Sequence, residues 1–225
     1  MTHSAMSPII FSSTVSTPVS DSVHHPSTRS IFKRLLDIAG SIVGLILLGI
    51  VFVPIAIAIK LDSPGPIFFT QERHGLYGCP FTIRKFRSMV VNAEQLKSQI
   101  KNEAKGLIFK NENDPRVTRV GSFLRKTSLD ELPQFWNVLM GEMSLVGTRP
   151  PTSDEVARYN SHHWQRLNVK PGLTGVWQVS GRSEIKDFEQ IVALDLNYQK
   201  LWNPLYDIQI VLKTIQVVFC GKGAC

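Results

Sequence analysis

Cysteine is scarce. The three present, Cys79, Cys220 and Cys225, are too few and too scattered for a zinc site or a disulfide framework, and an odd number suits a reducing compartment. Charged residues make up only 19% of the chain, and the 43% hydrophobic share falls short of what several membrane spans would bring. A collagen, a coiled coil and a polytopic membrane protein are thereby excluded, and no internal repeat suggests a solenoid. Residues 1–30 carry almost no charge, show no apolar periodicity and are rich in Ser, Thr, Pro and His, so a disordered tail is predicted there. That tail also lacks the basic start and apolar run of a signal peptide.

What is present is length enough, at 225 residues, for one compact domain with an appendage. The net charge of +7 is unevenly placed: residues 60–126 hold 13 basic and 6 acidic side chains, and the remainder is near neutral. Such a basic block suits nucleic acid, anionic lipid headgroups or phosphorylated small molecules, and charge alone does not choose among them.

Residues 38–59 form a run of 22 without a charge, bracketed by Lys33, Arg34 and Asp37 before it and Lys60 after it. As a helix it would measure about 33 Å, nominally a bilayer core. Pro54 stands against a simple crossing, because it removes a helical hydrogen bond and leaves an unbroken stretch of 16 residues. Basic residues at both ends fit a helix that enters, bends near Pro54 and returns to the same face. A spanning helix and the buried core helix of a soluble protein remain the alternatives.

Beyond it, 67–70 and 81–83 read as short strands around the loop 75–80. Residues 92–103, 132–140, 154–167 and 189–200 have helical spacing, and 173–179 reads as a strand. Asn203-Pro204 looks like the cap and first turn of a helix over 205–219, with Leu205, Ile208, Val211, Leu212, Ile215 and Val218 on one face. The expected architecture is α/β: a disordered tail to residue 30, a membrane helix over 31–60, a catalytic domain over 61–219 that closes on an amphipathic helix, and a short tail over 220–225.

The most informative cluster is Ser128-Leu129-Asp130-Glu131-Leu132-Pro133-Gln134, with Arg125 just upstream. Ser128 and Glu131 match a capping box, whereas a helix beginning near Asp130 would put Pro133 in its first turn; either way both carboxylates sit at a helix start. There the backbone N–H groups favour an ionised Asp and also seat a phosphate. A carboxylate beside a phosphate becomes a nucleophile once the like charges are screened, which calls for Mg²⁺ and arginines. Acidic residues at a helix start are by themselves ordinary caps. Three further stretches suit phosphate binding and are equally explained as turns or a solvated strand edge: Gly147-Thr148-Arg149-Pro150-Pro151, where a stiff turn would aim Arg149; the glycine-bearing 171–182, ending in Arg182; and Lys85 and Arg87, which would share one strand face.

In order and spacing these segments resemble the bacterial sugar transferases, the monotopic phosphoglycosyl transferases. The resemblance runs over residues 32–218 and rests on Lys33-Arg34-Leu35-Leu36-Asp37, Gln71-Glu72-Arg73-His74-Gly75, Lys85-Phe86-Arg87-Ser88-Met89, Asp114-Pro115-Arg116, Leu124-Arg125 with 128–134, Asn137-Val138-Leu139, Gly141-Glu142-Met143-Ser144, Arg149-Pro150 and 171–182. It implies that Asp130 is the nucleophile with Glu131 as partner, that both hold Mg²⁺, and that Lys85, Arg87, Arg125, Arg149 and Arg182 bind phosphate. It further implies a re-entrant helix broken at Pro54, on the cytosolic face of the inner membrane. The implied reaction moves hexose 1-phosphate from a UDP-sugar to undecaprenyl phosphate with release of UMP, as the first step of exopolysaccharide or other glycan assembly, with no nucleic acid as partner. A homodimer is among the open oligomeric states, and the sugar is not legible. Two departures stand out: Thr148, where the family usually has Pro, and Val53, where some members have Ser before the proline. An aspartyl-phosphate phosphatase and a non-catalytic membrane adaptor are the competing functions.

Overall fold

A computed structural model describes residues 24–181 and 184–220. The sequence up to residue 23, Arg182 with Ser183, and the final five residues lie outside the described part. Residues 24–30, expected to belong to the tail, are packed: α1 (Pro26–Arg29) is capped by the His25 side chain, whose Nε2 lies 2.9 Å from the carbonyl of Gln199.

The long helix α2 (Ile31–Asp62) follows at once, with the Ser30 hydroxyl accepting from the N–H of Lys33 at its start. Then come β1 (Phe68–His74) and β2 (Pro80–Phe86), an antiparallel hairpin in which Phe68 pairs with Phe86 and His74 with Pro80. Helices α3 (Ala93–Leu96) and α4 (Arg119–Lys126) precede α5 (Gln134–Met140). Strand β3 (Ser144–Val146), short helices α6 (Ser153–Val156) and α7 (Ser161–Trp164), and strand β4 (Gly172–Thr174) come next, β3 and β4 pairing in parallel. Helical turn α8 (Val176–Val179) leads to α9 (Phe188–Leu201) and α10 (Pro204–Cys220). The main core joins β2, α5, β3, α9 and α10 through Ile83, Val138, Val146, Tyr198 and Ile210.

Helix α2 has two unlike sides. Buried Lys33, Asp37, Ser41 and Gly44, then Ile55 and Ile59, fall on one stripe. Opposite them Ile31, Leu35, Ile42, Ile46, Val53 and Ile57 are each about half exposed or more. The buried stripe meets the same globular body at both ends: the first half packs on α5 and β3, and the second half joins Phe86 and Leu124 in a separate cluster. The break expected at Pro54 is not an interruption, since the helix continues through it. Proline removes only the one donor that would reach the carbonyl of residue 50, and Ile55, Ala56 and Ile59 hold the following turn against the domain.

The charges before the apolar run are also not free flank charges of the kind that set orientation. Lys33 Nζ donates to Asp207 Oδ2 (2.7 Å) and to the Val146 carbonyl (2.8 Å), both interior groups. Arg34 donates to the carbonyls of Val138 and Leu139, closing the C-terminal end of α5. Asp37 Oδ1 accepts from Ser144 Oγ and the Leu145 N–H, each at 2.8 Å. These three residues dock the helix.

Gly44 lets that docking happen, because a methyl group there would run into the Phe135 ring. Gly44→Val is therefore expected to lose about 1–3 kcal/mol of stability through overpacking, read as a lowered midpoint of thermal unfolding; an unchanged midpoint would mean that α2 and α5 are not held together here.

Several segments differ from the expected pattern. The helix over 92–103 shortens to α3 and one 3-10 turn (Lys97–Gln99). The one over 154–167 breaks into α6, α7 and a 3-10 turn because Asn160 starts a new helix, its side chain accepting from the His163 N–H while His163 caps back. Residues 173–179 are half strand and half helix. In α10 the core side is Asp207 and Ile210, whereas Leu205, Leu212 and Ile215 of the expected apolar face remain exposed.

Candidate active site

Thr127 and Ser128 close α4, and Ser128 takes a left-handed backbone (φ 56°), a conformation a non-glycine residue adopts only under local constraint. The chain then makes a 3-10 turn, Leu129–Glu131, and Pro133 leads into α5 with φ −62°, where its missing N–H costs little. Ser128 makes no side-chain cap, so the Ser128/Glu131 capping box does not form. Within this turn Asp130 is 7% exposed, while Glu131 is half-buried. Leu129, one residue before, packs against the apolar cluster in which Ile55 and Ile59 of α2 meet Phe86 and Leu124, which ties the turn to the same side of the domain as the long helix.

Strand β2 brings Lys85 to this turn: its Nζ is 2.8 Å from Glu131 Oε1 in a partly buried ion pair. Arg87 does not join it. Strand β2 ends at Phe86, the side-chain alternation stops, and the Arg87 guanidinium turns under the end of α2, donating to the carbonyls of Pro64 and Ser63 and, at 3.5 Å, Ile59. It satisfies carbonyls that the helix end leaves open. Arg125, in the last turn of α4, donates from Nε to Ser88 Oγ at 3.2 Å. Arg182 lies outside the described residues.

Arg149 is clamped by Glu155, with NH1 and NH2 donating to the two carboxylate oxygens at 2.8 and 3.1 Å. Burial opposes the charge on Glu155, but Arg149, with Arg73 and Arg166 near it, prevails and holds the carboxyl below its usual range. Arg166 is fully buried and donates to Asp195 of α9, to the Tyr159 hydroxyl and to the carbonyl of Arg149. Burial pushes the Tyr159 phenol up to about 12. Thr148 is also engaged, its hydroxyl donating to the Arg166 carbonyl, a bond that a proline at this position could not make.

Arg73 belongs to the same cluster and was not singled out as a binding residue by the sequence. It donates to the carbonyl of Pro150 and to Gln71, while its Nε is buried without a hydrogen-bond partner. Burial, and after it the neighbouring Arg149, lowers its pKa to about 10, and Glu131 is among the carboxylates that support its charge. Its motif neighbours were visible in the chain, but its place beside Arg149 comes from β1 meeting Thr152, a long-range pairing. Gln134, four residues after Asp130, likewise has a buried Nε2 with no partner. Such donors are what an acidic ligand would satisfy.

Among the described residues no three His, Cys, Asp or Glu side chains gather as a metal site. Two adjacent carboxylates nevertheless fit Mg²⁺, which takes one or two carboxylates together with waters and substrate phosphates. Asp130 and Glu131 are the adjacent carboxylates that could hold it, Glu131 being paired with Lys85.

Residues 28–221 match the family described as bacterial sugar transferase. The galactosyl transferase CpsE of Streptococcus agalactiae serotype III is 54% identical over 196 residues, 86% of this chain and 43% of that protein. The UDP-glucose:undecaprenyl-phosphate glucose-1-phosphate transferase of Escherichia coli K12 is 43% identical over 202 residues, 86% of this chain and 41% of its own length. The exopolysaccharide production protein ExoY of Sinorhizobium fredii is 40% identical over 200 residues, covering 86% of this chain and 88% of ExoY. The chain thus spans less than half the length of the first two and most of the third.

Proposed function

Because the chain belongs to the bacterial sugar transferase family, we propose that it moves a hexose 1-phosphate from a UDP-sugar to undecaprenyl phosphate and releases UMP. The observation that carries this reading is the placement of Asp130: a nearly buried carboxylate, next to Glu131 and its ion pair with Lys85, in a turn whose Leu129 joins the apolar cluster that α2 shares with Phe86 and Leu124. The name of the Escherichia coli relative gives donor and acceptor, and that of ExoY gives exopolysaccharide production as the setting.

In this mechanism a carboxylate oxygen of Asp130 attacks the β-phosphorus of the UDP-sugar. The bond from that phosphorus to the bridging oxygen breaks, UMP departs with the electron pair, and the phosphosugar is held on Asp130. An oxygen of the polyprenyl phosphate then attacks the same phosphorus and restores the carboxylate. Lys85 orients Glu131, and Arg73 and Arg149 offer guanidinium groups to the diphosphate, Arg149 by exchanging Glu155 for the ligand. Asp130 and Glu131 would also hold Mg²⁺, whose charge when bound offsets that of the diphosphate.

The same reading places the protein on the cytosolic face of the inner membrane, where the donor is dissolved and the acceptor is embedded. Helix α2 is long and apolar enough to cross a bilayer, yet it docks on one globular body at both ends, which supports a monotopic attachment with both ends on one face. Purified protein given a panel of UDP-sugars should release UMP in step with added undecaprenyl phosphate. Release of inorganic phosphate without the lipid would point to a phosphatase instead, and no product with any sugar to an adaptor.

A further inference from the structure

Arg34 reaches the far end of α5 from Asp130, one short helix or about 10 Å away. There α1, the first turn of α2 and Lys170 line a half-open cavity of about 190 Å³, far more than one water needs. Its wall carries Arg29, Lys33, Arg34 and Lys170 against a single carboxylate, Asp37. Lys33 is neutralised by Asp207, and Asp37 accepts from Ser144 and the Leu145 N–H. The other cations are less well balanced. A methyl group built at Gly141 would lie 3.5 Å from Lys170 Nζ and 3.6 Å from Arg34 NH1, so the two cationic groups close on one point. No carboxylate among the described residues forms an ion pair with Lys170. Burial, and next to it Arg34, lowers the pKa of Lys170, as expected of a cation beside a like charge.

The cavity opens beside apolar surface. Ile31 both lines it and is 77% exposed, and Leu35, one turn on, is 60% exposed; both begin the stripe that runs along α2 away from the domain. Converging cations at the head of an exposed apolar stripe match a ligand with a phosphate at one end and hydrocarbon at the other. We infer that this cavity binds the phosphate of a bilayer glycerophospholipid, which fixes the depth and orientation of α2. The inference needs membrane attachment but not the transferase reading, and none of the wall residues belongs to the 128–134 turn.

The test uses the full chain purified in detergent, titrated with dioctanoyl-phosphatidylglycerol, dioctanoylglycerol and inorganic phosphate, with bound species counted by native mass spectrometry. Phosphatidylglycerol should bind, Lys170→Gln should weaken it about tenfold, as the loss of one charge-assisted phosphate contact implies, and Lys170→Arg should restore it. Equal binding of dioctanoylglycerol, or no change in Lys170→Gln, overturns the site. Inorganic phosphate that binds as tightly as the lipid overturns the lipid as its source. UMP release by Lys170→Gln at saturating UDP-sugar should keep the wild-type KM for undecaprenyl phosphate; a KM raised by the same tenfold would instead make the cavity part of the acceptor site and overturn the proposal. The thermal midpoint of Lys170→Gln, expected to match wild type, confirms that lost binding is not lost folding.

Discussion

Asp130→Asn is expected to lower turnover by at least about 10⁴-fold, the scale on which removal of a covalent nucleophile is felt, while folding and membrane attachment persist. Asn has the shape of Asp and Asp130 lies in a turn whose backbone bonds do not involve its side chain: the Glu131 N–H donates to the Ser128 carbonyl and that of Leu132 to Leu129. The change therefore removes the nucleophilic charge and leaves those backbone bonds in place. Brief incubation with UDP-sugar labelled in the hexose, without acceptor, should leave label on the wild-type protein and none on Asp130→Asn. Wild-type protein that carries no label would favour direct transfer between the two substrates, and a variant that still turns over would remove Asp130 from the mechanism altogether. Glu131→Gln should be slowed less completely, because it keeps its place beside Lys85 and loses only charge.

The second large effect lies far from the dyad. Lys33→Ala should destabilise the protein by about 3–5 kcal/mol, the usual consequence of leaving a buried charge without its partner. Asp207 is 1% exposed and accepts from Lys33 Nζ, the Tyr198 hydroxyl at 2.8 Å and Trp202 Nε1 at 3.0 Å. Without Lys33 it keeps two neutral donors and no cation, and the Val146 carbonyl loses its ammonium donor as well. The midpoint of thermal unfolding in detergent reads the loss. Asp207→Asn in the Lys33→Ala background should return part of it, because the stranded charge is then gone. A single variant as stable as wild type would show that this clasp is not what fixes α2 to the domain.

Local signals carried much of this architecture. A charge-free run, a Gly- and Pro-marked loop and the Asn203-Pro204 start were enough for α2, the β1–β2 hairpin and α10. What the chain did not disclose depends on partners distant in sequence. Helical spacing over 92–103 did not reveal that Glu103 and Asn102 turn instead toward Lys110 and Ile108. Strands of three residues such as β3 exist only because β4 pairs with them. In the site, Asp130 and Glu131 are neighbours in the chain and so were found together. Lys85 and Arg87 share a motif but are separated by the end of a strand, and one meets Glu131 while the other closes α2. Arg73 and Glu155, by contrast, acquire their importance only where β1 and the 149–155 loop meet.

The clasp between Lys33 and Asp207 closes a span of 174 residues. On a ribosome adding about 5–20 residues each second, α2 is complete roughly seven to thirty seconds before its counter-charge exists. At the start of that interval the apolar stripe is complete but the polar stripe has no partner to grip; Ser144 and Leu145 come next for Asp37, and Asp207 comes last for Lys33. Under the proposed membrane attachment, contact with lipid is thus an early event in the life of the chain and registration of the helix against the domain a late one. The final helix acts as a latch, fixing in place the segment that was made first.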